Sequence, residues 1–281
     1  MSTEAVEAER VSETTVAEHT VSERSVGAWF EHTRVLTWRQ ILVYVRNVPT
    51  VLQSLIIPAI SMVLLKVVLG DSIGNATGQD SLYGTVPLMI IIGAMGGSMV
   101  SAVRLNKERT TGLLARLYVL PIHRAADLSS RVAAEMVRIF VLTLILLAVG
   151  YAMGFRFSEG VLPAIGLVAV AILFGAAYAV FVLAIAVNAS PGAPLVQYLG
   201  LLMSVLMFFN SGFSPLDGYP GWMQPIVANQ PMTPAIEVMR SFAAGGPMAM
   251  NLVKLAVWTI LFVAVSLYPA LRGYRRAATS R

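Results

Sequence analysis

Residues 161–187 read VLPAIGLVAVAILFGAAYAVFVLAIAV, an apolar run without a single charged side chain. An α-helix rises about 1.5 Å per residue, so roughly 20 apolar residues cross a hydrocarbon core about 30 Å thick. This run is long enough to cross a membrane as a helix, and runs of this length are rare in soluble domains.

Five further apolar runs accompany this one, and together they predict an all-α, polytopic membrane protein with six transmembrane helices. With 57% hydrophobic and only 12% charged residues, the chain cannot cover a soluble globule with polar surface. The predicted spans are residues 50–69, 83–103, 135–154, 161–187, 194–213 and 250–271.

The basic residues indicate the orientation of these spans. Most of the 20 Lys and Arg lie before the first span, in the connection 104–134 or after the last span. The positive-inside rule places these segments in the cytoplasm, so both termini are predicted to be cytoplasmic in a bacterial plasma membrane. Anionic membrane lipid accounts for the net charge of +5, and no nucleic-acid partner is expected.

The segments outside the spans divide the chain further. Residues 1–25 are polar and acidic and are predicted to form a disordered cytoplasmic tail, followed by a transmembrane domain at 26–276 and a short tail at 277–281. Within the domain, residues 26–47 have a helical pattern with basic groups repeating on one face, which predicts an N-terminal interfacial helix.

The outer connection from 214 to 249 is too long for a simple turn. It contains two short apolar pieces, 222–228 and 233–244, neither of which can cross a bilayer. We predict short outer-leaflet helices before the last span, the second of them with Thr233 as N-cap and Pro234 at its first position.

The inner connection contains a short amphipathic pattern that ends at a proline. Its apolar residues lie on one helical face and are Leu113, Leu114, Leu117 and Leu120. The pattern predicts a cytoplasmic helix, and spacing alone allows it either to rest on lipid headgroups or to dock on a partner protein.

This inner segment carries a resemblance to a known family. Residues 107–117, KERTTGLLARL, followed by Leu120-Pro121-Ile122 and Arg131, resemble the signature of ABC-2 type transporter permeases, especially the daunorubicin-resistance branch. Residues 229–237, NQPMTPAIE, look like the stretch before the last span in that family, although Gln230 here separates the usual Asn-Pro pair.

The resemblance implies a permease subunit of an ATP-binding cassette exporter that moves drug, antibiotic or lipid-like molecules outward. It implies two copies of a separate ATPase subunit holding ATP and Mg²⁺, and a second permease chain, identical or related. It also implies that the inner helix is a coupling helix docked on the ATPase, with the contact set Glu108, Arg109, Gly112, Leu113, Leu114, Arg116, Leu117 and Pro121.

The sequence contains no catalytic motif of its own. A phosphate-binding P-loop needs a Gly-Lys pair, and none occurs here. Cysteine is absent and the three histidines are scattered, so no metal site is expected. We therefore expect a chain that is not an enzyme and holds no cofactor.

Three further groups of residues are candidates for a role in transport. A small-residue stripe on the second span predicts helix packing: Gly93, Gly97 and Ser101. Polar groups on the fifth span either line the translocation path or bond to other helices: Gln197, Ser204 and Asn210. Charges at the start of the third span either stabilise a helix end or relay movement from the coupling helix: Arg131, Glu135 and Arg138.

Alternative functions remain open from the sequence. A membrane scaffold or assembly protein would use the same spans without transport, and a polysaccharide-exporting ABC permease would share the family pattern. A proton-coupled carrier needs a titratable acid deep in a span, whereas the only acid within the predicted spans is Glu135, at an inner edge.

Overall fold

The computed structural model describes residues 25–78, 80–113, 116, 123, 125–158, 160–189 and 194–279. These residues form nine α-helices and one turn of 3-10 helix, and no strand occurs among them. The predicted all-α class is therefore confirmed. The predicted disordered tail lies outside the described residues except for Ser25.

The helices are named here in chain order. They are α1 (Val26–Arg46), α2 (Val48–Thr77), α3 (Leu82–Thr110), α4 (Ala126–Ala152), α5 (Val161–Asn188), α6 (Leu195–Phe208), α7 (Gln224–Asn229), α8 (Met232–Ala244) and α9 (Ala249–Thr279). Five of them, α2, α3, α4, α5 and α9, are long and apolar enough to cross a membrane. The predicted count of six spans is not confirmed among the described residues, because α6, at the position of the fifth predicted span, has only 14 residues.

A single residue separates α1 from α2. The Ser25 hydroxyl accepts a hydrogen bond from the Ala28 amide at 3.1 Å and so caps the start of α1. Asn47 then ends α1 and caps α2 through its side chain, with proline in the first turn of α2. The structure thus has a helix at the predicted N-terminal position, joined by a tight corner to the first apolar helix.

Helix α3 forms the centre of the bundle and contacts α2, α4, α5 and α8. Most of its N-terminal half is buried, whereas α2, α6 and α9 expose long apolar faces. Between α5 and α9 an aromatic cluster fills the space, including Phe174, Tyr178 and Phe262. The apolar exterior of the outer helices is the surface expected of a protein dissolved in lipid.

The outer connection folds back into the bundle. Helix α8 packs against α3, α5 and α9, and its Met232, Ile236 and Met239 are fully buried. The helix begins one residue before the predicted N-cap, with Pro231 at the capping position, so the prediction for Thr233 is wrong. The Thr233 hydroxyl is instead within 3.2 Å of the Gln230 amide, which fixes the entry to the helix.

The predicted fifth span ends early because tertiary donors replace its helical hydrogen bonds. The Gln230 side-chain amide donates to the Phe209 carbonyl at 2.6 Å, and the Tyr219 hydroxyl donates to the Asn210 carbonyl at 3.0 Å. Arg240 on α8 donates to the Ser211 carbonyl at 2.7 Å. Unsatisfied carbonyls are costly in lipid, and these three side chains allow α6 to stop at Phe208, after 14 residues.

A salt bridge joins α2 to the start of α3. Lys66 Nζ donates to Asp80 Oδ1 at 2.7 Å, and the Leu82 amide donates to the same oxygen at 2.9 Å. Burial acts to raise the pKa of Asp80, but these two hydrogen bonds and the charge of Lys66 outweigh it and lower that pKa below its usual value. The carboxylate therefore stays ionised at neutral pH.

Gly84 provides a test of how closely α3 packs on the turn after α6. A Cβ at this position would lie 2.9 Å from Arg240 Nη2 and 3.0 Å from the Gly212 carbonyl oxygen. We expect Gly84→Ala to destabilise the protein by about 1–3 kcal/mol through overpacking. The thermal unfolding midpoint in mild detergent measures this. Gly221→Ala is the control, because nothing lies within 4 Å of a Cβ there, and equal midpoints for the two variants would contradict the packing described.

Candidate functional site

A cluster of charges centred on Glu108 in α3 lies at the end of the bundle where α3 runs into the predicted inner connection. This end of the bundle is called the inner end below, after that prediction. Its carboxylate is 2.5 Å from Arg131 Nη2 of α4, 3.5 Å from Arg104 Nε and 3.7 Å from Arg39 Nη2 of α1. The side chain of Glu108 is only 11% exposed, so screening by water is weak. One carboxylate therefore joins three helices at the base of the inner connection.

Two further contacts complete this cluster. Asp127, in the first turn of α4, accepts a hydrogen bond from Arg131 Nε at 3.0 Å. Gln40 on α1 accepts one from Arg104 Nη2 at 2.8 Å. Each arginine thus contacts a neighbouring helix or its own helix start, and α1, α3 and α4 are linked as one unit.

A second ion pair lies about two turns deeper along α4. Arg138 Nη2 is 2.7 Å from Glu135 Oε2, and both side chains are 5% exposed. Glu135 also accepts a hydrogen bond from the Ser101 hydroxyl of α3. Arg138 in addition donates to the Gly93 and Ala94 carbonyls of α3, at 3.1 and 2.8 Å. A buried charge pair is tolerated only when its remaining donors are satisfied, and these contacts supply that.

The small-residue stripe of α3 makes this arrangement possible. A Cβ at Gly97 would lie 1.9 Å from Arg138 Cζ, and a Cβ at Gly93 would lie 2.6 Å from a Leu142 methyl. Ser101, the third member, bonds to Glu135. The stripe faces α4, and at Gly97 it accommodates a guanidinium group.

The charges predicted as a relay are brought together in two groups. Arg131 contacts Glu108 and Asp127, whereas Glu135 and Arg138 form the deeper pair with α3. Both groups join α4 to α3 across the bundle, in addition to the contacts within α4. Whether they relay movement stays a prediction.

The predicted coupling residues are only partly described. Arg109 donates to the Val187 and Ala189 carbonyls at 3.0 and 2.6 Å and so caps the end of α5. Gly112 ends α3 with φ of +73°, a conformation that favours glycine. Leu113 is half-buried and Arg116 is exposed. Residues outside the described part of the chain are Leu114, Leu117 and Pro121.

Glu108 and Arg109 therefore have partners within the chain. The resemblance places them on the ATPase-docking surface, but the structure shows Glu108 held by arginines and Arg109 held by the carbonyls of α5. We therefore predict that these two residues act on docking indirectly, because their contacts fix the position at which the inner connection starts.

Three contacts at the inner end were not anticipated from the sequence. The His123 amide donates to His32 Nδ1 at 3.1 Å, and Trp29 Nε1 donates to the Ser129 hydroxyl at 3.2 Å. Gln40 is 5% exposed and faces the charge cluster. The sequence gives no signal for these contacts, because each joins α1 to residues far along the chain.

The polar residues of the predicted fifth span have local roles in the structure. The Ser204 hydroxyl donates to the Gly200 carbonyl at 2.8 Å on an exposed face of α6. Asn210 is fully buried, donates to carbonyls at the end of α6 and accepts from the Gly212 amide at 2.8 Å. A side chain with no exposed surface cannot contact a passing molecule, so the geometry does not support a path-lining role for Asn210. The side chain of Gln197 lies outside the described part of the chain.

The side chains of this site form ion pairs that join helices. Within the described residues no group of His, Asp and Glu is arranged to hold a metal ion. The site instead provides two ion-pair layers that join the helices of the bundle to the base of the connection between α3 and α4.

Comparison with known proteins identifies the class of this protein. The family model for the ABC-2 type transporter matches residues 31–243, which include both ion-pair layers and most of the outer connection. The chain belongs to the ABC-2 type transporter family and is a permease subunit of an ABC exporter.

Its relatives include permeases named for drug resistance. The probable doxorubicin resistance ABC transporter permease protein DrrC of Mycobacterium tuberculosis is 38% identical over 258 residues, covering 92% of this chain and 93% of the relative. The daunorubicin resistance ABC transporter permease protein DrrB1 of Streptomyces coeruleorubidus is 23% identical over 208 residues, covering 74% of this chain and 73% of the relative.

Two adjacent glycines test the deeper ion pair. Gly97→Ala places a methyl group in the position of the Arg138 guanidinium, so we expect the buried pair to lose its contacts with α3 and the free energy of unfolding to fall by about 3 kcal/mol or more. The matched control is Gly96→Ala, whose Cβ would meet only a Met203 methyl at 3.7 Å. The measurement is thermal unfolding in detergent. If both variants unfold at the wild-type temperature, the contacts of Arg138 with α3 do not require a glycine at position 97.

Proposed function

We propose that this permease moves amphipathic or apolar drug-like molecules outward, driven by two copies of a partner ATPase that bind ATP and Mg²⁺. The substrate class follows from the doxorubicin and daunorubicin resistance permeases that the chain resembles over most of its length. The ATPase partner and a paired permease chain follow from the family. The energy source lies in the partner, and this chain supplies the membrane pathway.

The observation that carries the proposal is the set of ion pairs that Glu108 forms with Arg39, Arg104 and Arg131. A coupling element is useful only if the membrane helices move with it, and Glu108 joins α1, α3 and α4 within two residues of the end of α3. A push on the inner connection therefore reaches three helices at once. The short Arg131–Glu108 contact transmits it to α4.

The deeper pair continues this route into the membrane. Arg138 bonds to the middle of α3, so α3 and α4 are joined at two levels and move as one body. In this proposal Arg131, Glu135 and Arg138 form the relay. The path lies on the exposed apolar side of the bundle, where Ser204 of α6 is exposed. Gln197 stays a candidate for the path on its sequence position alone.

The second permease chain is proposed to cover the exposed face of α6. This helix packs mainly on α3, and its Leu201, Val205 and Phe208 are exposed. A six-crossing bundle is too small to enclose a drug-sized path alone, so a path between two chains is the simpler arrangement. The partner chain is identical or related.

The proposed topology has six crossings with both termini in the cytoplasm. Helix α6 spans only about 21 Å, and the irregular segment after it completes the crossing because its carbonyls are satisfied inside the protein. Helices α7 and α8 then lie in the outer leaflet, α1 lies along the inner interface, and the protein is placed in the plasma membrane.

Coupling is tested at the start of the inner connection. Gly112→Pro forbids the positive φ observed there, and Leu114→Asp places a charge on the proposed docking face. We expect both variants to lose co-purification with the ATPase subunit and ATP-dependent drug efflux while inserting normally. For Leu114→Asp a loss of roughly 2 kcal/mol corresponds to about thirtyfold in affinity.

The matched control is Gly78→Pro at the opposite end of the bundle. Gly78 also ends a helix with a positive φ, of +69°, so it suffers the same backbone strain away from the inner connection. Intact efflux and assembly in Gly112→Pro and Leu114→Asp would contradict docking and favour a scaffold without transport.

Orientation is tested with single cysteines, since the chain contains none. Asp217→Cys lies in an exposed outer turn and Thr110→Cys at the exposed inner end of α3. A membrane-impermeant maleimide is expected to label the former in intact cells and the latter only after permeabilisation. The reverse pattern would overturn the proposed topology.

A further inference from the structure

A cavity of about 210 Å³ lies beside the inner ion pairs, between α1, α2, α3 and α4. Its floor is polar and includes Gln40, Ser101 and Arg104, with Glu135 and Arg138 at one side. Its walls are apolar. The cavity is therefore amphipathic, with its polar end toward the cytoplasmic ends of the helices.

The cavity opens sideways toward lipid. Val45 of α1 and Val137 and Val141 of α4 line it and are also exposed on the outer surface of the bundle. At its other margin the Tyr44 hydroxyl bonds to the Ser54 hydroxyl and so holds α1 against α2. A molecule can thus enter from the inner leaflet without passing through the bundle.

At the floor of the cavity the group without a hydrogen-bond partner is a donor, whereas the acceptors described below are already occupied. Gln40 is 5% exposed, and its Nε2 has no hydrogen-bond partner among the described residues. The Gln40 oxygen, by contrast, already accepts from Arg104. Both Glu135 oxygens are likewise occupied, by Ser101 and Arg138. A ligand that fits this floor must bring acceptors.

The charges around the cavity favour the same kind of ligand. Three guanidinium groups line it, those of Arg104, Arg131 and Arg138, against the single lining carboxylate of Glu135. With Arg39, Glu108 and Asp127 of the adjoining cluster included, four arginines face three carboxylates, so the surroundings keep an excess of one positive charge. A cationic ligand would be repelled here, whereas an anion adds charge-assisted hydrogen bonds. The volume is also below the roughly 300–1,000 Å³ typical of pockets that enclose drug-sized ligands.

We infer that this cavity binds the headgroup phosphate of an acidic phospholipid from the inner leaflet, with its acyl chains along the valine-lined opening. The Arg104 guanidinium, whose side chain is 25% exposed, holds the phosphate. Gln40 Nε2, which is buried and unpaired, becomes a second donor when its amide turns toward the ligand, and Val45 and Val141 contact the chains. The inference concerns a bound lipid, is separate from the exported molecule and does not depend on the proposed export function.

The bound lipid has a structural consequence in this arrangement. Arg104 contacts Gln40 of α1 and lies 3.5 Å from Glu108 in the inner cluster. A phosphate on Arg104 therefore adds a further link between α1 and the helix that carries the inner connection. We expect acidic lipid to stabilise the whole unit formed by α1, α3 and α4.

The experiment measures lipid binding to the purified full chain after delipidation in detergent. Dioleoyl-phosphatidylglycerol and dioleoyl-phosphatidylcholine are titrated separately, with native mass spectrometry and thermal unfolding as readouts. We expect retention of phosphatidylglycerol over phosphatidylcholine. Gln40→Leu is expected to weaken phosphatidylglycerol binding about tenfold, the loss that follows removal of one charged hydrogen bond.

Two further variants separate the cavity from general surface charge. Val45→Trp places a large side chain at the opening of the cavity and is expected to reduce phosphatidylglycerol binding to a similar degree. Because Val45 is exposed, the larger side chain should not disturb the packing of the protein. Arg46→Gln removes an exposed charge from the same helix and is expected to bind as wild type. A cooperative unfolding transition of each lipid-free variant shows that it is folded, and the lipid-induced shift is measured from that variant's own midpoint.

Three outcomes would overturn the inference. Equal binding of the two lipids would exclude recognition of an acidic headgroup. Wild-type binding by both Gln40→Leu and Val45→Trp would exclude this cavity. A thermal shift with inorganic phosphate as large as that with phosphatidylglycerol would show that a free anion, not a lipid, occupies the site.

Discussion

Hydrocarbon offers no hydrogen bonds, so every polar group that this protein carries into the membrane must find its partner within the protein. Two parts of the structure satisfy this constraint with side chains from distant parts of the chain. At the end of α6, Gln230 and Arg240 donate to carbonyls that a continuing helix would have bonded itself. In α4, Arg138 bonds both to Glu135 and to carbonyls of α3. The path of the chain at these places depends on those donors.

The sequence predicts the helical class of the protein, but it does not predict where the helices end at these two places. Apolar length alone predicts an all-helical membrane protein, because each long run can satisfy its own backbone only as a helix. The same criterion predicts a continuous fifth span over 194–213, whereas α6 ends at Phe208. The missing information is the position of Arg240, which lies on another helix and reaches Ser211 only in the folded protein.

The site shows the same division. The charges at the start of the predicted third span are evident from the sequence, but hydropathy predicts a span from residue 135, whereas α4 begins at Ala126. Hydropathy counts Asp127 and Arg131 as polar residues unsuited to a span. In the structure they bond to each other, and Glu108 of α3 neutralises the remaining charge of Arg131. Partners at long sequence separation thus extend a helix that its own composition would end.

The buried charges of α4 have a consequence for how the protein is made. Arginine and acidic residues near the centre of a lone helix disfavour its transfer from the translocon into lipid, by about 2.5–3.5 kcal/mol for each Arg or Asp. Arg138 finds its acceptors only on α3, which is synthesised earlier. We therefore expect helix α4 to enter the bilayer as the second member of a hairpin, with α3 held beside the insertion channel until Arg138 reaches it.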